Sequence, residues 1–141
     1  MNAEIYNTAE QLVGLLKEKK LLIATAESCT GGLVSSYITA VPGSSAVFEL
    51  KKETLDTLGA VSYDTARQMA ECILKKAAAD IGVSVTGVAG PDGSEGHMPG
   101  LVFIAAAYTG GVTVKELNIS PISREYVREQ AAEQLLKLAF N

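Results

Sequence analysis

The segment Leu21 to Gly32, LLIATAESCTGG, is where chemistry would be sought first, because an apolar run breaks at Glu27 into small, hydroxylated and glycine residues. Ser28 offers a nucleophilic hydroxyl. The backbone N–H groups of Thr30, Gly31 and Gly32 would follow it at the start of a helical pattern resuming at Leu33. Unpaired donors and the positive end of a helix dipole attract an anion or a developing oxyanion there. A serine hydroxyl beside such donors is the arrangement that acyl transfer requires. The competing reading of Ser28 is a helix N-cap. Glu27 has two readings of equal weight: it orients Ser28 or a substrate amide, or it caps an N–H of the following turn.

A hydroxyl nucleophile needs a base. The sole histidine, His97, lies between Gly96 and Met98 in a glycine-rich loop, which gives a Ser-His-Asp triad little support. A lysine with a lowered pKa remains open as the base. Cys29 is a rival nucleophile, but no thiolate-stabilising partner is visible, and a small buried residue is the plainer role. Cys72 reads as a structural helix residue. The two cysteines form no metal spacing and there is a single histidine, so a zinc site is not expected.

A second unusual loop, TGVAGPDG, follows another apolar run and lacks the Gly-Lys-Ser/Thr ending of a nucleotide-binding P-loop. Arg124 and Arg128 stand four apart at the start of the last helical pattern. Arg124 could reach a phosphate, while Arg128 reads as a surface charge paired with Glu125 or Glu129.

The elements that must position these groups follow from periodicity. Residues 3 to 20 form an amphipathic helix, LLIATA a buried strand, and Thr30 to Ala40 a small-residue helix ended by Pro42 and Gly43. AVFEL at 46 to 50 is expected to start a second strand. Ser62 caps a helix whose stripe is Ala66, Met69, Ala70, Ile73, Leu74 and Ala77. IGVSVTGVAG runs from strand into loop, LVFIAAAY and VTVKELNI flank a turn at Thr109 to Gly111, and Val127, Ala131, Leu135 and Leu138 mark a C-terminal helix. That order predicts an α/β fold, a three-layer α/β/α sandwich with a mixed, mostly parallel sheet and one antiparallel hairpin. Both unusual loops then leave the sheet at the same edge and build one site.

A length of 141 residues fits one domain, and 48% apolar residues suffice for its core. A net charge of -4 without a basic stripe argues against a nucleic-acid partner. No apolar run approaches a membrane span, and the first residues do not read as a secretion signal, so a cytoplasmic location is expected. The apolar hairpin strands, LVFIAAAY above all, suggest a homo-oligomer.

Five blocks, TAESCTGG at 25 to 32, VPGSSAVF at 41 to 48, GAVS at 59 to 62, VTGVAGPDG at 85 to 93 and the Arg-containing last helix, together resemble the C-terminal domain family of the competence/damage-inducible protein CinA. Within it the chain looks like the standalone nicotinamide-nucleotide amidases, which convert nicotinamide mononucleotide to nicotinate mononucleotide and ammonia. The resemblance implies that Ser28 is the nucleophile and Ser45 a second active-site hydroxyl. It implies that Thr30, Gly31 and Gly32 help form the oxyanion or ligand cradle, with Glu27 counted among the substrate-binding residues. Thr86, Gly87, Ala89 and Gly90 would line the nucleotide pocket, and Arg124 would face the phosphate. The implied partner is a small-molecule nucleotide, with no cofactor.

The chain departs from the family mildly before Arg124, where Ser120 to Ser123 replace a more usual glycine-acid pair, and substantially at one place. The family strand that begins as AVF continues through a Tyr-Ser-Asn stretch to a lysine and a Leu-Leu-Gly turn, whereas here Glu49 and Leu50 pass straight to KKETLDTLGAVS. The family's general-base lysine and active-site tyrosine belong to the missing stretch, and neither Lys51 nor Lys52 aligns with that lysine. A pyridine-nucleotide-binding or regulatory domain without catalysis is therefore the alternative to an amidase.

Overall fold

The computed structural model describes residues 1–48, 61–94 and 96–140. Helix α1 (Ala3–Lys19) starts where the Asn2 side chain accepts hydrogen bonds from the backbone N–H groups of Glu4 and Ile5, and it stops where Lys20 turns left-handed. Strand β1 (Ile23–Glu27) leads to α2 (Leu33–Thr39), which begins three residues later than the sequence pattern suggests because Gly31 and Gly32 both adopt positive φ. Positive φ suits glycine and breaks helical geometry. Then follow α3 (Tyr63–Lys76), β2 (Ile81–Gly87), β3 (Leu101–Tyr108), β4 (Gly111–Asn118) and α4 (Arg124–Ala139). Ser62 and Ser123 cap α3 and α4 through their hydroxyls.

The sheet order is β1-β2-β3-β4. Only β1 and β2 run parallel; β2–β3 and β3–β4 are antiparallel, so the sheet is mixed but not mostly parallel as expected. The reason is topological. The described residues between β2 and β3 carry no helix, and the chain returns beside β2 as an antiparallel neighbour, whereas parallel neighbours are usually joined through a crossover helix. The expected hairpin is present, with Thr109 and Gly110 forming its two-residue loop.

The strand expected at 46 to 50 is only partly seen. Ser44–Ala46 form a 3-10 turn and Phe48 makes one parallel bridge to Ile23, while Glu49 and Leu50 lie outside the described residues. That bridge sits at the first residue of β1.

Alternation along the strands sends side chains to two different layers. Ile23, Val83, Val85, Val102, Ile104 and Ala106 join α1, α2 and α4 in the larger core cluster. Ala24, Ala26, Ala105 and Ala107 face α3, whose Ala66, Met69, Ala70 and Ile73 are buried against them as the periodicity predicted. Small residues on that face let the helix come close. A Cβ at Gly82 would lie 2.5 Å from the Ala70 carbonyl oxygen, and the Ser84 hydroxyl donates to the Ala66 carbonyl at 2.6 Å.

Candidate active site

Because β1 and β2 are parallel and paired with Glu27 opposite Val85, the turns after both strands leave from the same end of the sheet. The Ser28 N–H extends the ladder by donating to the Val85 carbonyl at 3.0 Å. Alternation then puts Ser28 and Thr86 on the α3 side of the sheet and Glu27 on the α2 side. Ser28 is exposed, and its hydroxyl makes no hydrogen bond among the described residues. Thr86 is buried at the end of β2, opposite Phe103.

Glu27 faces the protein. Its carboxylate accepts hydrogen bonds from the Thr30 hydroxyl at 2.6 Å, the Val34 N–H at 2.9 Å, and the Ser35 N–H and hydroxyl at 3.0 and 2.7 Å. Of its two readings, the cap is the one this geometry expresses. Thr30 is fully buried with its hydroxyl committed to Glu27. The Gly31 N–H donates to the Ser28 carbonyl at 3.1 Å, leaving the N–H groups of Thr30 and Gly32 without a backbone acceptor among the described residues.

Two arginines of α4 reach the two turns. Arg124 Nη1 donates to the Gly90 carbonyl at 2.6 Å. Arg128 was expected to be a surface charge paired with Glu125 or Glu129, but it is half-buried; its Nε donates to the Cys29 carbonyl at 3.1 Å and its Nη2 to the Thr30 carbonyl at 2.8 Å. The four-residue spacing that puts Arg124 and Arg128 on one helix face was the available signal. The loop after β2 is tied down on its other side: the Val88 N–H donates to the Leu101 carbonyl and the Gly100 N–H to the Val88 carbonyl. Ala89 and Gly90 are buried and Gly87 is half-buried, so this loop is packed down at the end of the sheet that carries Ser28.

Burial pushes the Cys29 thiol up to about 11, with Glu27 adding to the rise and Arg128, Arg124 and its own backbone N–H opposing it. A thiol in that state is no nucleophile at neutral pH. Cys72 is exposed on α3. His97 lies in a turn closed by two backbone hydrogen bonds with Ser94.

Ser45 does not join this group. It is exposed in the 3-10 turn preceding Phe48, and the Phe48 bridge to Ile23 puts that turn at the opposite end of β1 from Ser28. Five strand residues separate the two levels, roughly 16 Å at a strand's rise per residue. A hollow of about 510 Å³ also lies at that far end, lined by Leu21, Asp80, Ile81, Ala106, Tyr108 and Leu138 among others, and it holds none of the candidate residues.

Comparison with known proteins places this α/β domain in a family. The model of the CinA C-terminal domain matches residues 5–50 and 47–141, and the chain belongs to that family. A CinA-like protein of Kosmotoga olearia is 42% identical over 150 aligned positions, which cover 91% of this chain and 36% of the relative. The chain thus spans about a third of the length of the curated relatives it matches. The crystal structure of competence/damage inducible protein CihA from Agrobacterium tumefaciens superposes with a TM-score of 0.89 at 34% identity, covering 99% of this chain and 96% of that one. The competence damage-inducible protein A of Klebsiella pneumoniae gives 0.87 at 26% identity, with 97% and 96% covered.

The family match falls into two segments that meet at residues 47 to 50. The alignment to the Kosmotoga relative is longer than the 141 residues available here, so that relative carries positions this chain lacks. Both observations agree with a missing stretch between Leu50 and Lys51. No helix among the described residues is long and apolar enough to cross a membrane.

Proposed function

We propose that the chain hydrolyses the carboxamide of nicotinamide mononucleotide through an acyl-enzyme on Ser28, releasing nicotinate mononucleotide and ammonia in pyridine-nucleotide recycling. One observation carries the reading: an exposed serine hydroxyl without a described partner stands at the end of the sheet from which the turns of two parallel strands leave, two residues before a Thr30 N–H without a backbone acceptor. Ser28 Oγ attacks the carboxamide carbon, and its proton passes to the leaving nitrogen, which departs as ammonia. Water then cleaves the acyl ester, regenerating the Ser28 hydroxyl and giving the carboxylate. The Thr30 N–H donates to the oxygen that becomes negative in each tetrahedral intermediate. Gly87, Ala89 and Gly90 line the nucleotide side, and the guanidinium N–H groups of Arg124 not used on Gly90 are donors for a phosphate.

A second reading has its own support. The family match falls into two segments, as it would if the stretch in which the resemblance puts a lysine base were missing, and no described side chain hydrogen-bonds Ser28 Oγ. On that reading the chain holds a pyridine nucleotide and does not hydrolyse it.

Ammonia release from nicotinamide mononucleotide by the purified full chain, paired with calorimetric titration of the same compound into the chain and its Ser28→Ala variant, separates the two. Turnover lost in Ser28→Ala supports the amidase. Binding without turnover in the unsubstituted chain supports the second reading, and the absence of both turnover and binding overturns each.

A further inference from the structure

Arg128 spends a half-buried guanidinium on two successive neutral carbonyls, Cys29 and Thr30, in the turn that follows Ser28. No carboxylate forms an ion pair with it among the described residues. A fixed cationic fork is well suited to holding two acceptors at once, and arginine keeps its charge at every relevant pH. What such a grip does to the turn follows from peptide planarity.

In a trans peptide unit the C=O and N–H point in opposite directions. The Cys29 carbonyl belongs to the same plane as the Thr30 N–H, and the Thr30 carbonyl to the same plane as the Gly31 N–H. Drawing both carbonyls toward α4 therefore turns both N–H groups away from it. The Gly31 N–H shows the result, since it closes back on the Ser28 carbonyl at 3.1 Å. By the same planarity the Thr30 N–H is turned away from α4, and it has no backbone acceptor among the described residues. Gly31 takes part by adopting φ +57°, a conformation that a residue with a Cβ rarely adopts.

We infer that Arg128 is a positioning residue: by gripping the Cys29 and Thr30 carbonyls from α4, it fixes the peptide planes that present the Thr30 N–H beside the Ser28 hydroxyl. It touches neither substrate nor reacting atoms and acts through the turn. The inference rests on the amidase reading for its consequence in the reaction, whereas the grip on the turn can be read without turnover.

The test uses the full chain unchanged and as Arg128→Met and Arg128→Lys. Backbone amide hydrogen exchange is followed at Thr30 and Gly31 by 15N-resolved spectra, with the amides of β3 and α3 as internal controls. In Arg128→Met the Gly31 amide should exchange at least about 10-fold faster while the controls stay unaltered, as for a local opening. Ammonia release should show kcat lowered about 10- to 100-fold with KM within about 3-fold, the pattern of a lost transition-state donor. Lysine, with one nitrogen in place of a fork, should restore only part of this.

An unaltered kcat in a folded variant overturns the role in the reaction, and unaltered exchange at Gly31 overturns the grip itself. If the unsubstituted chain releases no ammonia, the amidase reading fails on its own, and the exchange comparison still decides for or against the grip. Should Arg128→Met fail to fold, Arg128→Lys retains the charge and the aliphatic stem and carries the same two readouts.

Discussion

Ser35 donates both its backbone N–H and its hydroxyl to the same carboxylate oxygen of Glu27, at 3.0 and 2.7 Å, from eight residues further along the chain. The Thr25 and Ser35 hydroxyls are in turn 2.8 Å apart. The start of α2, which read in sequence as a place for a ligand's negative charge, is thereby occupied by a negative charge of the protein itself. An incoming phosphate has to be met elsewhere, and the guanidinium of Arg124 beside Gly90 is the cation at the other turn.

Glu27→Gln should unsettle this end of the sheet. The amide offers one acceptor oxygen and turns an NH2 group toward donors that now point at a carboxylate. Losing charge-assisted hydrogen bonds and leaving a donor unmatched should cost about 2–4 kcal/mol. Urea denaturation measures it, and a loss below about 0.5 kcal/mol would show that α2 needs no such cap.

Cys29 predicts a pH dependence of stability. Its thiol is raised from an ordinary 9.0 to about 11 in the folded chain. Between those values the unfolded chain has lost the proton and the folded chain has kept it, so stability falls as pH rises from about 9 to 11 and is unaffected by this group below that window. The full effect amounts to up to about 2–3 kcal/mol. It should disappear in Cys29→Ala, as read by denaturation midpoints at pH 8 to 11. At pH 8 a thiol reagent should label the exposed Cys72 well before Cys29.

Arg124→Gln should discriminate between ligands. If the guanidinium meets the phosphate, affinity for nicotinamide mononucleotide drops about 10-fold, while binding of nicotinamide riboside, which lacks the phosphate, changes little. Equal losses for both ligands in calorimetry would assign Arg124 to holding the Gly90 loop instead.

Ser45→Ala should leave kcat within about 2-fold of the unsubstituted chain, because the 3-10 turn lies at the far end of β1 from Ser28. The family resemblance had put the two hydroxyls in one site. Loss of turnover comparable to that of Ser28→Ala would mean that a second copy of the chain brings Ser45 to the site.

Much of the fold is legible in the sequence. The Ala66, Met69, Ala70 and Ile73 stripe is buried as read, and the turn at Thr109 and Gly110 closes its hairpin. The two loops also leave one end of the sheet as expected. Apolar period and glycine placement report local backbone geometry and which face avoids water, and both are properties of neighbouring residues.

What the sequence by itself determined, then, was the elements, their buried faces, and the two turns on which Ser28 and Gly90 stand. The tertiary structure decided that Glu27 turns inward to α2, that β3 returns antiparallel, that Ser45 sits at the wrong end for Ser28, and that Arg128 grips a turn 98 residues away. The antiparallel β3 and the place of Ser45 follow from how the chain connects its strands, while for Glu27 and Arg128 the physical reason is one. A charged or hydroxylated side chain takes the partner that packing brings within about 3 Å, and that partner depends on how helices and strands far apart in sequence are set against one another.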